Sequence, residues 1–175
     1  MPESSPLRGK KVLAVDDEPD VLEALEELLS MCEVVKATTF EEAKELLESQ
    51  DFDIAILDIM GVEGYSLLEI ANQRNITAVM LTAHAFTPDN LVRSIKEGAA
   101  SYLPKEELTN IETFLNDILE AKRKGDNTWG PWQERLPTSY FEKRWGAAWQ
   151  DKDKEFWERF RASIKARASK TGKKD

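Results

Sequence analysis

At 175 residues the chain is long enough for one full hydrophobic core plus a modest extension. It contains no apolar run of the roughly 18 residues a membrane span needs, and Met1-Pro2-Glu3-Ser4-Ser5-Pro6 lacks the basic start and apolar block of a secretory signal. The single cysteine, Cys32, excludes an intramolecular disulfide and reads as a small core hydrophobe; a reduced, cytoplasmic setting is expected. Net charge is −9 but uneven: residues 1–125 hold 12 Lys/Arg against 25 Asp/Glu (−13), and residues 126–175 hold 12 against 8 (+4). All five tryptophans fall in the second stretch. Composition therefore breaks near Lys124-Gly125-Asp126-Asn127, and two parts are expected, 8–124 and 125–175.

Lys11-Val12-Leu13-Ala14-Val15 has the unalternating apolar character of a strand buried on both faces. Asp16, Asp17 and Glu18 follow, then Pro19, which suits the first turn of a helix. Val21, Leu22, Leu25, Leu28 and Leu29 recur at helical spacing. Glu33–Ala37 is a second strand, and Thr39 with Glu42 forms a capping box for a second helix carrying Ala43, Leu46 and Leu47. Asp53–Leu57 is a third strand that delivers Asp58, and Gly61 and Gly64 mark the turn after it. Tyr65–Asn72 forms a third helix, and Ile76–Leu81 a fourth strand ending at Thr82. Thr87-Pro88 opens a fourth helix, which Gly98 closes. Ala99–Leu103 is a fifth strand ending at Pro104-Lys105. Leu108, Ile111, Leu115, Ile118 and Leu119 outline a fifth helix. Five strand–helix alternations imply an α/β fold with a parallel sheet and helices on both faces.

In such sheets, sites lie outside the carboxyl ends of the strands. Those ends carry Asp16 and Asp17, Asp58, Thr82 and Lys105. Three carboxylates crowded together repel one another unless a cation joins them. An all-oxygen donor set favours a hard ion such as Mg²⁺, which keeps positions open for phosphate oxygens. An Asp can act as the nucleophile that accepts a phosphoryl group, and a Lys with a Thr can hold the phosphoryl oxygens. No His/Cys cluster points to zinc, and no glycine-rich loop points to a nucleotide.

Four motifs, Val15-Asp16-Asp17-Glu18-Pro19, Leu57-Asp58, Leu81-Thr82-Ala83 and Tyr102-Leu103-Pro104-Lys105, make residues 10–122 resemble the receiver domain of two-component response regulators. The resemblance implies a flavodoxin-like sheet of order 2-1-3-4-5 and Asp58 as phospho-acceptor. It implies Mg²⁺ held by Asp16, Asp17, Asp58 and the backbone carbonyl of Met60, Asp17 being preferred over Asp16 as a direct ligand. Thr82 and Lys105 would contact the phosphoryl group, and Thr82 with Tyr102 would form the switch. The partner would be a sensor histidine kinase or a phosphotransfer protein. The chain would then be no enzyme in the ordinary sense, but a phospho-acceptor that promotes its own phosphorylation and dephosphorylation. Two departures stand out. The stretch from Asp58 to Gly64 is about two residues shorter than the family's loop and lacks its proline. Glu106 follows Lys105 where the family often has a cis proline; a trans bond or a strained one is expected.

The alternatives are an Asp-nucleophile phosphatase and a pseudo-receiver. The first wants an acid two residues after Asp58, where Met60 stands; the complete acid–Thr–Lys set argues against the second. His84, the only histidine, reads as a loop residue without a role. In the tail, Trp129-Gly130-Pro131-Trp132 reads as irregular. Ser139 with Glu142 forms a capping box for a long amphipathic pattern, with Phe141, Trp145 and Trp149, then Phe156, Phe160 and Ile164, at i, i+4. Arg159–Lys174 holds seven basic residues and no acid. This helical extension is expected to pack through Trp145, Trp149 and Phe156 on the chain's own receiver or on a second copy, or else to dock a protein partner. A membrane surface is a lesser candidate, and no nucleic acid is expected, because no recognition-helix unit is present.

Overall fold

The computed structural model describes residues 5–83 and 86–173, with side chains to residue 164. The chain divides into two compact units, one running to Asn116 and one from Asp117.

The first unit alternates strand and helix throughout: β1 Lys11–Val15, α1 Pro19–Leu28, β2 Glu33–Ala37, α2 Phe40–Ser49, β3 Ile54–Asp58, α3 Gly64–Gln73, β4 Thr77–Thr82, α4 Pro88–Lys96 and β5 Ser101–Pro104. A 3-10 turn over Lys105–Asn110 leads into α5, Ile111–Lys124, which crosses into the second unit. All strand pairs are parallel and the order is β2-β1-β3-β4-β5. The chain steps one way from β1 to β2 and the other way from β2 to β3. Right-handed crossovers therefore put α1 on one face of the sheet and α2, α3 and α4 on the other. The unalternating apolar strands follow from this two-sided cover: Val12, Leu13, Ala14, Ile54, Ala55, Ile56, Leu57, Val79, Met80 and Leu81 are all fully buried.

Local signals place the helix starts. Thr39 Oγ1 accepts from the Glu42 amide at 3.1 Å while Glu42 Oε1 accepts from the Thr38 amide at 3.0 Å. Pro19 and Pro88 each occupy a first-turn position, where the missing N–H costs nothing. Strand β3 runs one residue later than its hydrophobicity predicts, so that Asp58 is its last residue rather than the first of the loop.

The second unit holds the end of α5, then α6 Trp129–Arg135, α7 Thr138–Trp145, a 3-10 turn at Asp151–Asp153 and α8 Lys154–Lys173. Its organising feature is a closed circuit of aromatic contacts. Trp129 meets Trp132 (4.9 Å between centroids), Trp132 meets Phe141 (5.5 Å), Phe141 meets Trp149 (5.3 Å), Trp149 meets Trp157 (5.1 Å), Trp157 meets Phe160 (5.3 Å) and Phe160 returns to Trp129 (6.2 Å). Edge-to-face geometry dominates, as the ring quadrupoles prefer.

Four expectations about this unit are corrected. Trp129-Gly130-Pro131-Trp132 is helical, because Pro131 falls in the first turn, where its absent N–H would be unpaired in any case. The long amphipathic pattern is interrupted at Gly146, whose φ of +89° ends α7. Helix α7 starts at Thr138 after Pro137 with no side-chain cap bond, so Ser139 is not its cap. The aromatic stripe is largely the unit's own core: Trp149 and Phe156 both pack on Trp157, and both are buried. No helix among the described residues is long and apolar enough to cross a membrane.

Candidate functional site

The direction of strand progression reverses between β1 and β3, and in open α/β sheets ligands bind at that switch point. Parallel register sets Val15 beside Leu57, Asp58 beside Leu81, and Thr82 beside Pro104. The residues just past these positions, Asp16, Asp17 and Lys105, therefore gather with Asp58 and Thr82 along one edge of the sheet.

Asp16 is fully buried. Its amide donates to the Ala37 carbonyl (3.1 Å), and its Oδ1 accepts from the Glu18 amide (2.9 Å), which fixes the turn into α1. Asp16 Oδ2 forms an ion pair with Lys105 Nζ at 2.9 Å. Asp58 is also buried; its Oδ2 accepts from the Gly61 amide (3.0 Å), and its Oδ1 is 3.5 Å from Lys105 Nζ. Asp17, by contrast, is exposed. One oxygen from each of Asp16, Asp17 and Asp58 lies within 4.8 Å of the others. This all-oxygen donor set fits a hard divalent cation.

Burial pushes the Asp58 carboxyl above the usual carboxylate range; Lys105 and the Gly61 amide oppose this, and the Asp17 charge adds to it. Burial raises Asp16 as well, against its contacts with Lys105 and the Glu18 amide. For Lys105, burial lowers the pKa, but hydrogen bonds to Glu18 and Asp16 outweigh it and the group is held well above its ordinary value.

The loop after Asp58 is held short by close backbone approach. The Gly64 amide donates to the Ile59 carbonyl (2.9 Å), Glu63 adopts a left-handed φ of +54°, and the Ile59 amide returns to the Leu81 carbonyl (3.1 Å). A methyl group on Gly61 would overlap the carboxylates of both Asp17 and Asp58. Met60 sits on this loop with its side chain 66% exposed. Asp17, Glu18, Asp58, Met60, Gly61 and Lys105 together line an open depression.

Thr82 ends β4 and is buried. Tyr102 is fully buried: its ring stacks on Phe86 (5.8 Å), and its hydroxyl lies 3.1 Å from the Thr87 amide and 3.2 Å from the Thr87 carbonyl. Burial holds the phenol above its ordinary pKa. His84 lies outside the described residues. No cis peptide bond occurs among the described residues, so Lys105 and Glu106 are joined in trans. Sequence reasoning missed two members of the site. Glu18 reaches back to Lys105 at 2.8 Å, and Gly61 supplies both the amide on Asp58 and the space beside it. The stretch Asp16-Asp17-Glu18 held the first signal, since its third acid had no assigned task.

The model of the response regulator receiver domain family matches residues 12–116. The chain belongs to that family. The receiver domain is 40% identical over 113 residues to the two-component response regulator ARR18 of Arabidopsis thaliana, a match covering 59% of this chain and 18% of that protein. With the two-component response regulator ORR24 of Oryza sativa subsp. indica it shares 33% identity over 132 residues, 68% of this chain and 21% of that one. The chain thus spans about a fifth of the length of these curated relatives. Among solved structures, it resembles a CheY-like receiver domain protein from Methanospirillum hungatei (28% identity, TM-score 0.55, 64% of this chain and 98% of that one). It also resembles a response regulator receiver domain protein from Clostridium thermocellum (27%, TM-score 0.57, 65% and 97%). The five-stranded parallel sheet is thus that of a receiver domain of two-component signalling.

Proposed function

We propose that this receiver domain takes a phosphoryl group on Asp58 from a sensor histidine kinase or a phosphotransfer protein, and that residues 125–175 carry a non-DNA-binding output. One observation supports this most directly: Asp16, Asp17 and Asp58 converge within 4.8 Å with Lys105 against two of them. A carboxylate oxygen of Asp58 attacks the donor's phosphorus, a P–O bond forms, and the donor's own bond to phosphorus breaks with its electron pair. Asp16, Asp17, Asp58 and the Met60 carbonyl would hold Mg²⁺, which neutralises charge on the phosphoryl oxygens when bound. Lys105 and Thr82 hold those oxygens, and Lys105 needs no proton transfer to do so. The same machinery promotes loss of the group to water. Tyr102 and Thr82 form the switch, with the Tyr102 hydroxyl acting on the N-cap of α4. Residues 8–124 are the receiver and 125–175 the extension, in a cytoplasmic setting. The extension serves self-association or a protein partner. An exposed Met60, where a phosphatase would carry its general acid, counts against the phosphatase alternative.

The test is mass spectrometry after incubation with acetyl phosphate and Mg²⁺. One phosphoryl group is expected on the wild type and none on Asp58→Asn; equal labelling of the variant would refute the assignment.

A further inference from the structure

Among the described residues, Lys105 is the cation paired with the carboxylates of the site, and its placement is lopsided. Its Nζ is 2.8 Å from Glu18 Oε1 and 2.9 Å from Asp16 Oδ2, but 3.5 Å from Asp58 Oδ1. The ammonium is thus engaged at the β1 side of the site, and its weakest contact is with the residue it must serve. Glu18 differs from the other acids. Its oxygens are not part of the three-carboxylate cluster, and its side chain is half exposed at the rim of the depression. Its backbone is fixed, because the Glu18 amide is bound to Asp16 and Pro19 starts α1 immediately afterwards. A side chain anchored at its root and solvated at its tip can hold Lys105 and let it go at small cost.

We propose that Glu18 is a positioning residue that draws Lys105 away from Asp58 in the unphosphorylated protein, restraining phosphorylation. This rests on the reading of Asp58 as phospho-acceptor. When a phosphoryl group arrives, Lys105 must exchange the Glu18 oxygen for a phosphoryl oxygen. Whatever the Glu18–Lys105 contact contributes to the resting state is subtracted from the phosphorylated one. A half-exposed ion pair corresponds to about a two- to fivefold change in rate or equilibrium.

The experiment is a double-mutant cycle on the full chain, reading the initial rate of phosphoryl uptake from acetyl phosphate with Mg²⁺. Glu18→Gln keeps the shape and removes the charge, and uptake should rise about two- to fivefold. The same substitution in a Lys105→Ala background should give no rise. A rise that persists without Lys105 would mean that Glu18 merely repels the anionic donor, and would overturn the proposal, as would an unchanged rate in Glu18→Gln alone. Should Lys105→Ala take up no phosphoryl group, reductive methylation of the unphosphorylated protein decides instead. Lys105 should be modified faster in Glu18→Gln than in the wild type, and equal rates overturn the proposal. Absence of uptake by the wild type would refute the phospho-acceptor reading and this inference with it, whatever the methylation rates.

Discussion

Tyr65, in the first turn of α3, grips Asn90, in the first turn of α4: its hydroxyl lies 3.0 Å from the Asn90 carbonyl and 2.9 Å from Asn90 Oδ1. Ser94 Oγ is 3.1 Å from the same hydroxyl, and the Arg93 guanidinium covers the ring at 3.9 Å. Seven residues on along each helix, Asn72 Nδ2 donates to the Glu97 carbonyl at 2.8 Å. Two polar rungs at the same spacing therefore fix the register of α4 on α3. Tyr65→Phe keeps the ring but leaves the buried Ser94 hydroxyl and the half-buried Asn90 without their partner. A loss of about 1–3 kcal/mol is expected, read by urea denaturation with an unchanged slope.

Gly61→Ala should abolish the response to Mg²⁺ while leaving the fold intact. Its backbone does not need glycine's conformational freedom; the constraint is the space occupied by Asp17 and Asp58. A melting shift on adding Mg²⁺, which binding to the folded state alone would produce, should appear in the wild type and vanish in Gly61→Ala. An undiminished shift in the variant would place the cation elsewhere.

The metal-free site should make stability fall as pH rises. Asp58 and Asp16 are both raised by burial, so the folded protein keeps their protons to higher pH than the unfolded chain does. Their contribution is fully present below the ordinary carboxylate pKa and is lost as pH rises through the raised values. Lys105 acts in the same direction but in a higher window: its raised pKa contributes stability that disappears only in the alkaline range. Asp58→Asn without divalent cations should therefore melt above the wild type at pH 7. The gap should narrow as the pH approaches about 4. A wild type that melts higher at neutral pH would mean that its contacts with Lys105 and Gly61 outweigh burial.

Phe141→Ala should unfold the second unit. Its ring touches Trp132, Tyr140, Trp145 and Trp149, all within 5.5 Å between centroids. Losing a buried phenyl costs about 3–5 kcal/mol, which a small unit without a disulfide cannot absorb. Limited proteolysis should then cut within residues 125–164 while the sheet of the first unit survives.

The receiver sheet was legible because its signals are local. Apolar strands without alternation, Thr39 with Glu42, and Pro19 and Pro88 each act within one turn or one strand. The acids and Lys105 were legible as a set because parallel strands bring equivalent ends together. Glu18 was not, since its partner Lys105 lies 87 residues away and nothing in the neighbourhood of either residue encodes the pairing. In the extension, Pro131 misled because a helix tolerates proline at its start, and Gly146 was overlooked because Trp145 and Trp149 keep a four-residue spacing across the break. Periodicity also could not tell rings that pack on one another from rings awaiting a partner.

Because every tryptophan belongs to the aromatic circuit or its edge, and the unit ending at Asn116 contains none, the molecule carries a built-in division of its optical signals. Indole emission follows the extension alone, while the tyrosines at 65 and 102 belong to the sheet unit. Excited at the red edge of its absorption, an unlabelled sample therefore reports when the extension melts, binds or rearranges. A change in that emission on adding acetyl phosphate and Mg²⁺ would be a direct optical record of information leaving Asp58 and reaching the other unit.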